Sequence, residues 1–352
     1  MIKHVVLRQF RNHDKLQLQF HSNKAFIYGD NGKGKTSILE AIYYGSLTKS
    51  HRTTEDRFLI KNNTLFSNIS ITTDKHLYEL VIEPFGKRMF VDKKAVHKTS
   101  DYVGGYHAIM FSPEDLELVK GIPSVRRQFL DIEMSQKDKS YLFVLSKYKQ
   151  ILKQRNALLK NLTLKDDLTF LKILSSQLSV VADQLIFQRT QFIEALNQAF
   201  KIHFTRFNKQ DEVDIVYQPN TPLKTLERVL NEKKDKDIVT QTTNYGPHRD
   251  DFSLKLNKQD AKTHASQGQQ RLMVLSLKLA LLDLIKDKQK EVVLLLDDVL
   301  SELDDLKKQQ LITHLPNEHQ VIISGVSFYG NKKEIQAINL NEGENEHGSN
   351  QQ

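Results

Sequence analysis

The sequence predicts an α/β fold with a helical segment inserted in its middle, and three observations carry this prediction. Short apolar runs of strand length alternate with runs of helical spacing along most of the 352 residues. A glycine-rich loop at 29–36 separates one such strand from a helix, and the apolar strand Val292–Leu296 ends in two adjacent carboxylates. Between these motifs, residues 123–207 show helical spacing alone. The pattern is typical of a layered head that carries a helical arm.

The strands of the predicted head differ in their patterning. Six short strands with polar breaks are predicted in the first hundred residues, the last three as an antiparallel set. Their ranges are 5–9, 16–20, 25–28, 68–73, 78–82 and 88–91. The continuous apolar run Val292–Leu296 predicts a strand buried on both faces, and helical spacing over 273–285 predicts the helix before it.

The arm carries nearly all the net charge of the chain. Residues 123–207 hold 14 basic and 7 acidic side chains, a net charge of +7 out of +8 for the whole chain. Apolar residues at alternating spacings of three and four predict two helices of similar length, over 141–159 and 171–192. The polar break at 161–167 suits an antiparallel hairpin with an apolar seam. The predicted division is a head at 1–122 and 208–340, the arm at 123–207, and a disordered tail at 341–352.

Composition excludes several classes of protein. Hydrophobic residues at 39% and charged residues at 27% are values of an ordinary globular chain. The lack of Cys excludes disulfides, thiol catalysis, iron–sulfur clusters and zinc ribbons. Charges at Lys3 and Arg8 interrupt the first ten residues, so no signal-peptide core is expected, and no later stretch reads as a membrane span. A cytoplasmic protein is expected.

The chemistry begins in the segment GDNGKGKT, which fits G-x-x-x-x-G-K-[ST] between a strand and a helix. Glycines let backbone N–H groups converge on phosphate oxygens, and the following helix aims its positive end at the same anion. Lys35 is predicted to bridge the β- and γ-phosphates, and the Thr36 hydroxyl to ligate Mg²⁺. A glycine-rich turn that matches by chance is the alternative, which the context disfavours. The predicted phosphate-binding residues are Gly29, Asp30, Asn31, Gly32, Lys33, Gly34, Lys35 and Thr36.

Two carboxylates directly follow the buried strand in EVVLLLDDVLSELD. Asp297 fits the magnesium-binding position, and Asp298 is predicted to act as general base toward the attacking water. The alternative is that the acids cap a helix that starts near Ser301, which suits Asp298 better than Asp297. Lys35 and Asp298 are the predicted catalytic residues.

A third motif lies upstream of this strand. In ASQGQQRLMVLSLKLALL, Ser266, Gln267 and Gly268 stand at the start of a long apolar helix. The motif resembles the signature of ABC-type ATPases, with Gln267 where Gly is commoner, although a plain Ser N-cap would look the same. The resemblance implies a two-fold ATP-dependent homodimer in which the signature of one subunit completes the nucleotide site of the other.

Six segments together resemble the RecF family of bacterial recombination mediators, relatives of SMC heads. They are FRNHDKLQLQF, GDNGKGKTSILEAIYYGSLTKSHRT, MFSPEDLELVKGIPSVRRQFLDIEMSQ, YGPHRDDF, ASQGQQR and LLLDDVLSELD. The resemblance implies an ABC/SMC-type P-loop ATPase head with an inserted α-helical arm, with ATP and Mg²⁺ as cofactors. It implies DNA binding at duplex and gapped regions, slow DNA-stimulated ATP hydrolysis, and cooperation with RecR and RecO in loading RecA. It also implies a protein that associates with the nucleoid and not with a membrane. Within the site, it implies that Arg11 and Asn12 lie near the nucleotide and that a loop at 301–304 crosses the dimer interface.

Two departures from the family pattern make slow hydrolysis the expectation. Ser112 stands where SMC heads have a metal-contacting Gln, and Ser324 and Gly325 stand where ABC-type ATPases have a switch His. Arg52 is left open between a phosphate contact, a contact with the facing subunit and a surface salt bridge. Two functions also stay open: an ATPase whose hydrolysis resets a DNA clamp, and a nucleotide-gated DNA-binding scaffold with little turnover.

The remaining polar motifs have competing interpretations. His248 with Asp250 and Asp251 could suggest a metal cluster, but a turn hydrogen-bonded by these side chains is favoured because the spacing matches no dedicated metal site. The basic residues of the arm are predicted to contact DNA phosphates, and solvated helix faces are the alternative. The lysines expected off the apolar seam are Lys147, Lys149, Lys153 and Lys160.

Overall fold

The computed structural model of the protein describes residues 1–285, 291–301 and 303–341. The strands are β1 (Ile2–Phe10), β2 (His13–Gln19), β3 (Lys24–Tyr28), β4 (Ser67–Thr73), β5 (Leu77–Glu83), β6 (Gly86–Val91), β7 (Lys94–Val96), β8 (His107–Phe111), β9 (Val213–Gln218), β10 (Asp251–Leu256), β11 (Gln259–Asp260), β12 (Val292–Leu296), β13 (Gln320–Gly325) and β14 (Gln336–Asn339). The helices are α1 (Lys35–Leu47), α2 (Thr99–Tyr102), α3 (Glu117–Lys120), α4 (Pro123–Lys137), α5 (Lys139–Leu159), α6 (Thr169–Phe207), α7 (Leu226–Glu232), α8 (Lys234–Thr240), α9 (Ala261–His264), α10 (Gln267–Asp283) and α11 (Asp305–His314).

A five-stranded parallel sheet positions the site residues. Its strand order is β14-β3-β13-β12-β8, and β12 and β13 are buried along their whole length, as the continuous apolar runs require. Tyr28 pairs with Gly325, and Leu296 pairs with Ile323. The carboxyl ends of β3, β12 and β13 therefore meet at one edge of the sheet, where parallel α/β sheets bind their ligands.

The antiparallel sheet of the head contains five of the six predicted early strands, and the sixth is β3 of the parallel sheet. Its order is β2-β1-β4-β5-β6-β7, and in β4 and β5 buried residues alternate with more exposed ones. One face of this sheet is therefore apolar and the other polar, which is the period-two pattern of the sequence. Helix α1 lies close to strands of both sheets.

The chain forms two compact units, whose limits differ from the sequence-based division. One unit contains residues 1–114 and the described residues from 285 onward, and the other contains residues 115–284. Residues 208–284, which the sequence analysis assigned to the head, lie with the helices because β9 and α10 pack on α6. The predicted disordered tail falls outside the described residues from position 342 onward.

The predicted arm helices exist, but their lengths differ. Helix α5 has 21 residues and α6 has 39, so the prediction of similar lengths is wrong. The apolar spacing of α6 continues through Leu196, Phe200 and Phe204, which are buried. The seam is also not purely apolar, because Arg155 of α5 and Arg189 of α6 are both buried.

Helix α6 is long and apolar enough to cross a membrane, judged by length and composition alone. The sequence analysis expected no such segment. Half of its most apolar window is buried inside the unit, where α6 contacts α5, α7, α10 and β9. The core helix of a folded domain meets the same criteria, so these criteria do not indicate a membrane here.

Candidate functional site

The loop between β3 and α1 has the backbone of a phosphate-binding loop. Gly32 and Gly34 have φ angles of +85° and +81°, in the left-handed region that favours glycine. A Cβ built on Gly34 would lie 2.2 Å from Nε2 of His13. Gly34 precedes the first turn of α1, so the N–H groups of that turn face the loop and suit an anion.

Lys35 folds back across the loop that precedes it. Its Nζ donates to the carbonyl oxygens of Gly29 at 2.6 Å and Asp30 at 2.8 Å. Both partners are neutral, and hydrogen bonds between charged partners are stronger than those to neutral oxygens. An anion in the loop would therefore be a better partner for this ammonium than the carbonyls are.

Asp297 follows β12 at the sheet edge and is buried. Its Oδ1 accepts hydrogen bonds from the Thr36 hydroxyl at 3.1 Å and from the Ser324 hydroxyl at 2.6 Å. Burial raises the pKa of Asp297, although the two hydroxyl bonds lower it. A buried carboxylate beside a hydroxyl is an oxygen pair that suits a divalent cation.

These oxygens fit Mg²⁺ rather than a metal held by many side chains. Mg²⁺ prefers oxygen ligands and is usually held by one or two protein carboxylates together with phosphates and water. Among the residues that the structure describes, no group of three or more His, Cys, Asp or Glu side chains is arranged to hold a metal. Thr36 and Asp297 are therefore the residues that would hold the ion beside a nucleotide.

Asp298 has a backbone conformation that is uncommon for residues other than glycine. Its φ of +49° lies in the left-handed region. The Asp298 N–H donates to the Ser324 hydroxyl oxygen at 3.1 Å, and its carboxylate accepts from the Ser301 hydroxyl at 3.0 Å. The predicted helix near Ser301 begins instead at Asp305, because Asp304 accepts from the Lys307 N–H as the N-cap.

Ser324 connects both acids, a role that the sequence analysis did not assign to it. Its hydroxyl donates to Asp297 and accepts from the Asp298 N–H. The sequence analysis had treated Ser324 only as a departure from the ABC pattern. The position after a fully buried parallel strand is the signal that could have assigned it to this edge. Ser112, the other departure, is also buried.

A cavity of about 770 Å³ opens at this edge of the sheet. The predicted residues in its wall are Arg11, Asn12, Asn31, Gly32, Gly34, Lys35, Thr36, Arg52, Asp297 and Asp298. Phe58, Ile60, Lys61 and Asn62 also contribute to the wall, and sequence reasoning missed them. Gly29, Asp30 and Lys33 are predicted loop residues that are not part of this wall. Gly29 and Asp30 act through the carbonyls that hold Lys35.

Arg11 is held by an acid that the sequence analysis overlooked. Its guanidinium donates two hydrogen bonds to Glu40, at 2.9 and 2.6 Å, and one to the carbonyl of Phe58. Glu40 is fully buried, and a lone acid within the apolar helix α1 is the signal that could have identified it. Arg52 lies 3.7 Å from the same carboxylate, so its salt bridge has a buried partner. The Asn12 amide donates to the Gly32 carbonyl at 3.1 Å.

The predicted signature residues lie in the other compact unit, at the start of α10. Ser266 is the N-cap, and its hydroxyl accepts from the Gln269 N–H at 3.3 Å. The Gln269 side chain accepts in return from the Ser266 N–H, which completes a capping box. Ser266, Gln267 and Gly268 are exposed. The N-cap interpretation is therefore correct, and the exposed helix start remains free for a further contact.

The GPHRDD segment forms a hydrogen-bonded turn, as favoured over a metal cluster. His248 Nδ1 lies 2.7 Å from the Tyr148 hydroxyl, and Nε2 lies 2.9 Å from the Thr243 carbonyl. Since a carbonyl only accepts, Nε2 carries the proton and Nδ1 accepts from Tyr148. Burial lowers the pKa of His248 to about 4, so the ring is neutral.

The acids of the same segment bind arginines of the arm. Asp251 accepts two hydrogen bonds from Arg126, at 2.6 and 2.9 Å. Asp250 accepts from Arg189 at 2.9 Å and from the Tyr217 hydroxyl. Burial raises the pKa of Asp250, whereas the Arg189 charge lowers it. The segment thus holds α4 and α6 in place.

Comparison with known proteins identifies the family. Residues 1–338 match the family described as RecF/RecN/SMC N terminal domain. The DNA replication and repair protein RecF of Acholeplasma laidlawii (strain PG-8A) is 45% identical over 345 residues, which cover 98% of this chain and 99% of that protein. The protein of the same name from Staphylococcus carnosus (strain TM300) is 36% identical, covering 96% of this chain and 97% of its own length.

Solved structures agree with this result. The recombination mediator protein RecF with ATP, in the RecFOR pathway, superimposes with a TM-score of 0.86 at 30% identity, covering 93% of this chain and 92% of that chain. An SMC head bound to the C-winged helix domain of ScpA gives a TM-score of 0.53 at 14% identity, covering 93% and 89%, and shows the shared fold alone. The predicted ABC/SMC-type ATPase head is thereby confirmed, and the chain belongs to the RecF family.

Proposed function

We propose that the chain is an ATP-dependent DNA-binding recombination mediator that acts on gapped or stalled-fork DNA. The observation that carries the nucleotide part is the contact between Thr36 of the glycine loop and Asp297 of β12, beside the folded Lys35. The glycine loop, Lys35 and the two proposed magnesium ligands all line one cavity. This combination suits a nucleoside triphosphate with Mg²⁺.

The residues of the cavity have distinct roles in this proposal. Backbone N–H groups of the loop and Lys35 bind the phosphates, and Thr36 and Asp297 hold the ion. Bound Mg²⁺ would neutralise phosphate charge and polarise the bond to be cleaved. Asp298 accepts the proton of the attacking water as general base. Ser301 and Ser324 keep Asp298 in position through its carboxylate and its N–H.

The exposed charge of the arm supports the DNA part. Of the 14 basic residues at 123–207, ten are exposed, whereas four of the seven acidic residues are exposed. The charged residues of the arm that are not exposed are arginines and acids in similar number, so the exposed surface stays basic. A surface of this kind binds phosphates without regard to sequence. The exposed lysines include Lys147, Lys149, Lys153 and Lys160.

Family membership supports the partners and the assembly of this proposal. Relatives carry the name DNA replication and repair protein, and a solved RecF structure is assigned to the RecFOR pathway. RecR and RecO are accordingly the proposed protein partners, in the cytoplasm and on the nucleoid. Exposed Ser266 at the start of α10 supports a homodimer in which each signature completes the partner's nucleotide site.

A nucleotide-gated scaffold with little turnover is the second candidate. It is favoured by Ser324, which stands where ABC-type ATPases have a switch His, and by the engagement of Asp298 with Ser301. A single-turnover ATP assay with and without duplex DNA separates the two functions. A DNA-stimulated burst of phosphate that Asp298→Asn abolishes supports the ATPase. ATP-dependent DNA binding without such a burst supports the scaffold.

Dimerisation has its own test. Sedimentation with ATP should show dimers of the wild type and monomers of Ser266→Arg, since the bulky cation would block the partner's phosphate. ATP binding by the Ser266→Arg monomer should be unchanged. Dimers of Ser266→Arg at the same ATP concentration would exclude the proposed composite site.

A further inference from the structure

The exposed face of α5 has an unusual composition. We define this face as the outward side chains of the helix, which are Lys139, Ser140, Phe143, Ser146, Lys147, Lys149, Gln150, Lys153, Gln154 and Ala157. Helix α5 contains no acidic residue. Its opposite side is buried and includes Tyr141, Leu145 and Tyr148. The exposed face therefore combines positive charge with a single aromatic ring.

Phe143 is 70% exposed, although it lies on the polar side of an amphipathic helix. Packing inside the unit does not account for its position, because the buried side of α5 is the opposite one. Lys139 and Lys147 lie four residues before and after Phe143, so they flank it on the same helix face. The two lysines are about 12 Å apart along the helix axis.

The charges of this face are mostly unmatched within the protein. Lys149 pairs with Asp131 at 3.1 Å. For Lys139, Lys147 and Lys153, the part of the chain that the structure describes supplies no ion pair. Asp138, the nearest acid in sequence, caps α5 by accepting from the N–H and the hydroxyl of Ser140, each at 2.7 Å.

We propose that the exposed face of α5 binds single-stranded nucleic acid, with Phe143 stacking on an unpaired base and Lys139 and Lys147 contacting the flanking phosphates. An aromatic ring adds little to phosphate binding, but it stacks on any base whose π-face is accessible. The bases of a duplex are stacked on one another and do not offer that face. Phe143 therefore favours the single-stranded side of a junction, whereas the lysines serve both sides.

This inference rests on the proposed DNA binding and adds to it the discrimination of unpaired bases. The chain contains no Trp, so Phe143→Trp introduces a single indole at the proposed stacking position. Titration with oligothymidylate should quench its emission, and a duplex bound to the same saturation should not. The matched control is Phe187→Trp on α6, where the native ring is 52% exposed. Emission from this variant should not respond to either DNA.

Binding measurements provide the second readout. Phe143→Ala should lower the affinity for single-stranded DNA about tenfold, the size of one stacking contact, and leave duplex affinity unchanged. Phe143→Tyr should bind like the wild type, and Phe143→Leu should bind like Phe143→Ala because it lacks a π-face. If Phe143→Leu binds single-stranded DNA with wild-type affinity, a plain apolar contact explains the binding without stacking, and the proposal is overturned.

The failure of this inference differs from the failure of the proposed function. If Lys147→Glu with Lys153→Glu weakens duplex binding while Phe143→Ala leaves single-strand binding intact, only the stacking inference is overturned. If the lysine reversals leave binding to both DNA forms unchanged, DNA does not bind at α5. The stacking inference and the proposed DNA contact of the arm are then both overturned. Loss of RecR or RecO binding by Phe143→Ala, without quenching of Phe143→Trp by DNA, would assign the ring to a protein contact instead.

Discussion

The cations of the glycine loop and those of the helical unit are held in different ways. Lys35 contacts two neutral carbonyls of its own loop. Arg189 is buried and donates to Asp131, Asp250, the Tyr141 hydroxyl and the Pro247 carbonyl. One cation has protein partners that a ligand can replace, and the other has carboxylates fixed by the fold.

This difference distinguishes cations that are expected to bind a ligand from cations that are expected to stabilise the fold. Arg155 is fully buried and donates to Ser175, Asp237 and Thr243, so it resembles Arg189. Such cations should affect stability when removed, because their carboxylates lose an arginine counter-ion inside the fold. Lys35 should affect ligand binding when removed and leave stability nearly unchanged.

The largest effect is expected for Arg189→Met. The free energy of unfolding should fall by about 3–5 kcal/mol, because Asp131 and Asp250 lose their buried counter-ion. Urea denaturation measures this change. Lys172→Met is the control, since Lys172 is an exposed cation of the same helix, and its effect should stay within about 0.5 kcal/mol. Equal stability of the two variants would contradict the comparison.

The converse effect is expected for Lys35→Ala. ATP affinity should fall on the order of a hundredfold, because the triphosphate loses a charge-assisted partner. The free energy of unfolding should change by less than about 1 kcal/mol. Calorimetric titration with ATP gives the first value and urea denaturation the second. Lys35→Arg should bind ATP better than Lys35→Ala but hydrolyse it poorly, since a planar guanidinium does not replace a compact ammonium.

The two acids at the end of β12 are expected to differ in role, with Asp297 serving metal binding and Asp298 serving hydrolysis. Asp297→Asn should lose magnesium-dependent ATP binding, since the neutral amide is a weaker ligand. Asp298→Asn should retain ATP and slow hydrolysis by about a hundredfold or more. Equilibrium binding with and without Mg²⁺, followed by single-turnover hydrolysis, measures both. An equal loss of binding in the two variants would reverse our assignment of their roles.

The smallest effect concerns His248 and pH. Its pKa is lowered to about 4 in the fold, whereas the unfolded chain has a value near 6.5. The unfolded chain therefore binds more protons between these values, and stability falls as the pH drops from 6.5 to 4. His248→Gln should make this decline shallower by on the order of 2 kcal/mol. Parallel urea titrations across that pH range check it, and an unchanged slope would exclude His248 as the titrating group.

Much of the fold could be predicted because its signals are local. Val292–Leu296 was predicted with the bounds that β12 has, since a continuous apolar run of this length between polar residues is typical of a buried strand and too short for a helix. The loop at 29–36 was found from its spacing and from the strand and helix predicted on either side of it. By contrast, the pairing of Arg155 with Asp237 spans 82 residues. Sequence periodicity therefore predicts an exposed position for such an arginine, because it contains no information about a partner so far away in the chain.

The site was predicted where chemistry coincides with a motif and missed where it depends on topology. Thr36 and Asp297 are 261 residues apart, yet both belong to recognisable motifs. Ser324 and Phe58 belong to none, and the parallel sheet and the cavity wall bring them to the site. Glu40 was missed because α1 is otherwise apolar, and a single acidic residue changes the average hydrophobicity of the helix very little.

The left-handed backbone of Asp298 bears on how a trapped variant is interpreted. Asn and Asp are both enriched in this conformation, but Asp298→Asn replaces the carboxylate that accepts from the Ser301 hydroxyl, so it alters the turn as well as the proton acceptor. A longer-lived ATP-bound dimer of that variant would combine slower hydrolysis with an altered turn. Comparison with Asp298→Ala, which has neither carboxylate nor amide, separates the two contributions.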